Sequence, residues 1–281
     1  MNSYHILLPL EVENNNERLI RSAITLGSAL SARLTFLYVI NTSQYTGYAG
    51  SGTAMAVSSL ASIKEQKDAI KDHFISMMQK LKAEIPSEMA IERSTSEGPW
   101  VSSIIEYIDK NKPDMLMLKH EEHGFLEKIL GDSNTEILNH AKIPGWIIPE
   151  KKTFSIPRKV AYLTDHRAGD MEALKQLSKI FGSFKAEICL VHVLEHDNFD
   201  SILKREGFIS MLGKELPELQ CSHKDISPQK MTDEVNTFIT SEEIELLSMR
   251  NESENFLNRF FTRSSVEKLI DSVNIPLAIY S

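Results

Sequence analysis

Three groups of residues in this 281-residue chain have the types and spacing that could do chemistry. The first is the run His120-Glu121-Glu122-His123, whose imidazoles and carboxylates are both zinc donors. Only two residues separate its histidines, so it is not the HExxH arrangement that places two ligands one helical turn apart. A solvated loop after a strand is the plainer reading. The second is Asp165-His166-Arg167, placed where an apolar run ends. In open α/β sheets, ligands gather at the carboxyl ends of strands, and an Asp there also caps or orders the following loop. The third is Arg250 with Arg263 and the nearby Ser253 and Ser264. Guanidinium groups grip phosphate or carboxylate, although pairing with Glu252 or Glu254 at the surface is the plainer role. No G-x-S-x-G elbow, G-x-x-x-x-G-K-[ST] loop or G-x-G-x-x-G fingerprint occurs. No catalytic set is assigned, and no motif calls for a cofactor or a resident metal.

These residues must be positioned by the elements around them. HILLPL (5–10) is a short apolar run ended near Pro9, which reads as a buried strand. NERLIRSAITLGSALS (16–31) has apolar residues at helical spacing. RLTFLYVI (33–40) predicts a second strand. A polar loop follows, then a long helix over 60–84 and a third strand over 89–94. Pro99 opens the next helix. DMLMLK (114–119) is a fourth strand, SNTEILNHA a helix with Ser133 or Asn134 near its N-cap, and GWIIP a fifth strand.

The second half repeats this order. KVAYLT (159–164), a helix over 169–182, EICLVHVL (187–194), a helix over 198–215, LQCSHKDI (219–226), the helix MTDEVNTFIT and IELLSM (244–249) follow in turn. SSVEKLIDSVNIPLAIY (264–280) then matches SNTEILNHAKIPGWIIP, both running helix, Ile-Pro, apolar strand. Internal duplication at this scale predicts two units, 1–150 and 157–281, joined by a short polar segment. Strands that are continuously apolar and alternate with helices predict an α/β fold, with doubly wound parallel five-stranded sheets covered on both faces.

Composition excludes several classes of function. Hydrophobic residues are 42% and charged residues 25%, enough for a packed core in each half. Residues 1–152 hold 16 basic against 19 acidic side chains and residues 153–281 hold 15 against 20, so both halves are acidic. Such surfaces suit neither nucleic acid nor an anionic membrane. No apolar run is long enough to span a bilayer or to act as a secretory signal, so the expected location is the cytoplasm. Cys189 and Cys221 do not make a disulfide framework. Cys189, Met115, Met117, Trp146 and His192 are expected in or beside the core.

In order and in local sequence, the chain resembles the universal stress protein (UspA-like) family over essentially its whole length. ILLPLE, FLYVI, EGPW, DMLMLK and LGDSNTEILNHAKIPGWIIP carry the resemblance in the first copy, and VAYLTD, ICLVHVLE, IELLSM and SSVEKLIDSVNIPLAIY in the second. The resemblance implies a Rossmann-like, adenine nucleotide hydrolase-like fold. ATP-binding members carry G-x-x-G, nine residues, then G-S/T after the fourth strand, where glycines let backbone N–H groups face phosphates. Aligned on TEIL, Ser133 takes the Ser position, and Lys119, Glu122 and Asp132 take the three glycine positions. In the second copy Ser264 takes the Ser position, and Arg250, Ser253 and Arg263 replace the glycines. The acidic residue that the family places near adenine or ribose is Glu11 in the first copy and Asp165 in the second.

The expectation is therefore a non-catalytic regulatory or ligand-binding protein with degenerate nucleotide motifs. Its candidate pocket positions are Asp165, Arg250, Ser253, Arg263, Ser264, Glu11 and Ser133. A nucleotide binder using the second copy, with slow hydrolysis, and a carrier of an apolar ligand both stay open. The resemblance also implies that the halves pair through their last strands, GWIIP and PLAIY, as an internal pseudo-dimer, with a homodimer of whole chains conceivable. The remaining partner is an unidentified small molecule or protein.

Overall fold

In the computed structural model the described residues are 4–11, 16–42, 52–119, 133–149, 152–193, 198–226, 231–250 and 275–280. The first half runs β1 (His5–Leu10), α1 (Glu17–Leu30), β2 (Arg33–Ile40), α2 (Gly52–Leu81), β3 (Ile91–Glu97), α3 (Trp100–Asn111), β4 (Met115–Lys119), α4 (Ser133–Ala141) and β5 (Gly145–Ile148). The second runs β6 (Lys159–Thr164), α5 (Ala168–Phe181), β7 (Glu187–Val193), α6 (Phe199–Glu215), β8 (Cys221–Ile226), α7 (Met231–Ser241), β9 (Leu246–Arg250) and β10 (Leu277–Tyr280).

The strands form one ten-stranded sheet in the order β3-β2-β1-β4-β5-β10-β9-β6-β7-β8. Every pairing is parallel except β5 with β10, where the halves meet antiparallel. Two apolar strands that would otherwise present open edges thereby close each other. Side chains alternate between two cores, as the two-residue period of a strand requires. Ile6, Leu8, Phe36 and Tyr162 face α1, α2, α5 and α6. Leu7, Leu37, Leu163 and Val191 face α3, α4 and α7.

The seam is locked by Trp146 on β5. Its side chain is fully buried, opposite the small Ala278 of β10, and it meets Phe154 of the connecting segment edge to face and Phe181 of α5 at a tilt. The backbone N–H of Phe154 donates to Ser22 Oγ on α1, 2.8 Å away, which fixes the connection.

Several boundaries differ from expectation. The helix α2 begins at Gly52 rather than 60, because the small residues after the polar loop continue it. Strand β3 runs from Ile91 to Glu97 rather than over 89–94, since its pairing with β2 extends to Ile40. Strand β9 extends to Arg250, which pairs beside Tyr280. The helix expected over 264–274 lies outside the described residues. Among those described, no helix is long and apolar enough to cross a membrane.

Candidate functional site

Strand β6 delivers its last residue, Thr164, to the carboxyl edge of the sheet, and the turn 165–167 leads into α5. Asp170, buried in the first turn of that helix, organises the turn. Its Oδ1 accepts from Tyr162 Oη at 3.0 Å. Its Oδ2 accepts from Thr164 Oγ1 at 2.8 Å and from the backbone N–H groups of Asp165 and Arg167 at 3.3 and 3.0 Å. The capping role considered for Asp165 thus belongs to Asp170. Thr164 Oγ1 also accepts from the N–H of His166 at 2.9 Å, holding that residue at φ 57°, a left-handed conformation costly for a side chain with a Cβ. Asp165 is left to pair with Arg167, and Lys204 of α6 donates to its carbonyl oxygen. Burial, together with the negative charge of Asp170, pushes the Asp165 carboxyl above the usual range, while Arg167 opposes the shift.

Beside this turn lies a stack of three imidazoles. The His166 ring is 4.2 Å from that of His192 on β7, 5.5 Å from that of His223 on β8, and 5.2 Å from Phe208 on α6. His192 Nδ1 donates to the Thr164 carbonyl at 2.9 Å, which fixes its tautomer. His166 and His223 face each other through their Nε2 atoms, 3.4 Å apart. Asp225 lies two residues beyond His223 on the same face of β8, with Oδ2 accepting from Arg205 at 2.8 Å. Burial lowers the His166 pKa to about 3, with the neighbouring His192, His223, Lys204 and Arg205 contributing. At neutral pH its ring is an uncharged base.

Arg250 enters from the end of β9. A Cβ on Gly169 would fall 0.9 Å from its guanidinium, so the arginine lies directly over the first turn of α5, where only glycine leaves room. Asp165 and Arg250 are therefore brought to one edge. Ser253, Arg263 and Ser264 lie outside the described residues, as do His120–His123.

A family model described as the universal stress protein family matches residues 3–149. The chain belongs to the universal stress protein family. Among solved structures, a universal stress protein from Archaeoglobus fulgidus DSM 4304 superposes with TM-score 0.72 at 16% identity, covering 99% of this chain and 96% of that one. One from Pseudomonas aeruginosa UCBPP-PA14 gives 0.59 at 12%, covering 99% and 93%. The cytoplasmic domain of a prokaryotic cation chloride cotransporter gives 0.52 at 11%, covering 99% and 95%. Likeness at such identities shows the fold. No curated protein matches the chain by sequence.

Within this universal stress fold the two copies carry different edges. The strand registers set Leu10 against Thr164, Tyr38 against His192, Arg93 against His223 and Thr95 against Asp225. Where the second copy stacks imidazoles, the first has Tyr38, whose hydroxyl meets His73 Nδ1 of α2 at 3.0 Å. Glu11 is exposed there, and its carbonyl accepts from Asn16 Nδ2 at 2.7 Å. Ser133 begins α4. The sequence reading singled out Asp165, His166 and Arg250 but not His223, Asp225, Lys204, Arg205 or Asp170. The alternation His223-x-Asp225 in CSHKDI was the available signal, since it puts an imidazole and a carboxylate on one face of a strand.

Proposed function

We propose that this chain is a non-catalytic regulatory protein of the universal stress type, which takes a small anionic ligand at the carboxyl edge of its second copy through side chains rather than a glycine-rich phosphate loop. Family membership supports a stress-related, ligand-binding role. The observation that carries the reading is Arg250 seated over Gly169 at the start of α5. A helix N-terminus attracts negative charge, and here a guanidinium stands at the same place, with Lys204 and Arg205 contributed by α6. These cations recognise a carboxylate or phosphate by charge-assisted hydrogen bonds. The backbone cradle of the ATP-binding members needs glycine, and the aligned positions hold Lys119, Glu122, Asp132, Arg250, Ser253 and Arg263 instead. We place the protein in the cytoplasm.

A second reading, nucleotide binding with slow hydrolysis, draws on Asp165 and Arg250 meeting at one edge. Calorimetric titration with ATP and Mg²⁺, paired with a phosphate-release assay, separates the two. The expected result is no submillimolar binding and no turnover, while native mass spectrometry of the purified protein retains a small anion that Arg250→Ala loses. Tight ATP binding abolished by Asp165→Ala would replace the first reading with the second.

A further inference from the structure

Two imidazole nitrogens that face each other can share one proton or one metal ion. His166 Nε2 and His223 Nε2 are 3.4 Å apart, a long hydrogen bond in which the tautomers decide which ring donates. The separation agrees with the edge of a tetrahedral zinc site, about 3.3–3.4 Å when metal–nitrogen bonds are about 2.0–2.1 Å. A carboxylate stands at the same corner. Asp225 Oδ1 is 3.7 Å from His223 Nε2, and this buried oxygen accepts no hydrogen bond from the described residues. A buried carboxylate oxygen without a donor is costly, and a cation would satisfy it.

We propose that His166, His223 and Asp225 form a transition-metal site, best suited to zinc, at the carboxyl ends of β6 and β8. Among the described residues no three such donors are already gathered tightly enough to hold an ion as they stand. The histidine pair is at ligand spacing, and Asp225 Oδ1, 3.7 Å from His223 Nε2, is the third donor once a metal draws the set together. Arg205 remains on Oδ2, so the ion takes only the free oxygen. His192 is a positioning residue, its ring packed on His166 and its Nδ1 tied to Thr164. Two neutral imidazoles and one carboxylate leave the fourth position of the tetrahedron open to water or to a ligand.

The test is titration of the metal-stripped full chain with Zn²⁺ against a chromophoric chelator, with Co²⁺ as a spectroscopic stand-in. No nucleotide or anion is present, so the result is separate from the function proposed above. The expected outcome is one ion per chain and a tetrahedral Co²⁺ spectrum. His223→Gln and Asp225→Asn should each weaken Zn²⁺ binding by at least about tenfold, since even outer partners of a metal ligand are worth about 10–100-fold. Both lie on the edge strand β8, partly buried, and circular dichroism checks that these variants keep their fold. His120→Ala with His123→Ala should leave binding unchanged. The proposal is overturned if the chain takes no Zn²⁺, if both β8 variants bind as the parent does, or if the His120/His123 variant abolishes binding.

Discussion

Replacing Trp146 by alanine tests whether the two copies are one cooperative structure. The indole is fully buried on β5, and its neighbours come from three parts of the chain. Phe154 of the connection lies 5.1 Å away at an interplanar angle of 80°, and Phe181 of α5 lies 5.6 Å away at 32°. Across the antiparallel pairing stands Ala278, too small to fill the space that the indole would vacate. Truncating a buried tryptophan costs about 3–5 kcal/mol. Each aromatic pair adds about 0.5–1.5 kcal/mol beyond burial, and the terms overlap, so a total near 4–5 kcal/mol is expected. That is a large part of the roughly 5–15 kcal/mol that holds a domain folded. Urea unfolding followed by far-ultraviolet circular dichroism measures the loss. Calorimetry should show the parent's transition broadening or dividing as the seam loosens. Trp146→Phe, which keeps an aromatic ring against Phe154, should recover most of the stability. A loss below about 1 kcal/mol in Trp146→Ala would refute the argument, because the seam would then owe little to this side chain.

Two further perturbations probe the edges. In an Arg250→Ala background, Gly169→Ala should stabilise by about 0.5 kcal/mol through helix propensity, whereas with Arg250 present the new Cβ displaces the guanidinium and the gain disappears. A double-mutant cycle by urea unfolding should therefore give a coupling of at least about 0.5 kcal/mol, and additivity would mean that the two residues do not touch. His5 on β1 gives a pH dependence. Arg33 donates to its Nδ1 at 2.9 Å, so Nε2 carries the proton and donates to Thr35 Oγ1 at 2.9 Å. Burial, then the Arg33 charge, holds its pKa below the ordinary value. The unfolded chain thus binds the extra proton first, and the stability tied to neutral His5 is present above about pH 6.5 and lost as pH falls below it. The unfolding midpoint should drop between about pH 7.5 and pH 5, and His5→Gln should drop less. An equal drop in both would discount His5.

The sheet was readable because its strands are apolar on both faces: HILLPL and RLTFLYVI could serve little else than a covered parallel sheet, and Ile-Pro before GWII and before LAIY marked the repeat. Asp165 was readable for a related reason, since a polar residue directly after such a run must sit at a strand end. The histidine stack was not. His166 and His223 are 57 residues apart, and His192 lies inside an apolar run where a hydrogen-bonded core histidine was the simpler account. It does make that hydrogen bond, but its ring also packs on His166. Only the register of β6, β7 and β8 brings Thr164, His192 and Asp225 level with one another, and register depends on pairings that no local pattern specifies. The seat of Arg250 was hidden likewise, because Gly169 reads in sequence as a poor helix residue and in the structure as the space for a guanidinium.

The helix α5 connects the carboxyl edge of the second copy to the seam between the copies. Its first turn carries Gly169 under Arg250 and Asp170 under the Thr164–Arg167 turn. Its last residue, Phe181, packs against Trp146 across the seam. Fourteen helical residues span about 21 Å, and Leu174 and Leu177 between the two ends are fully buried against the sheet. A close-packed helix moves as a unit rather than bending. A ligand that displaced Arg250 from Gly169 would therefore act on one end of a helix whose other end packs on Trp146. The sheet itself need not change, because the residues that set its core are distinct from those at its carboxyl edge. That separation lets the first copy keep Leu10, Tyr38, Arg93 and Thr95 where the second has Thr164, His192, His223 and Asp225. The helix α5 is the physical connection between that edge and the seam.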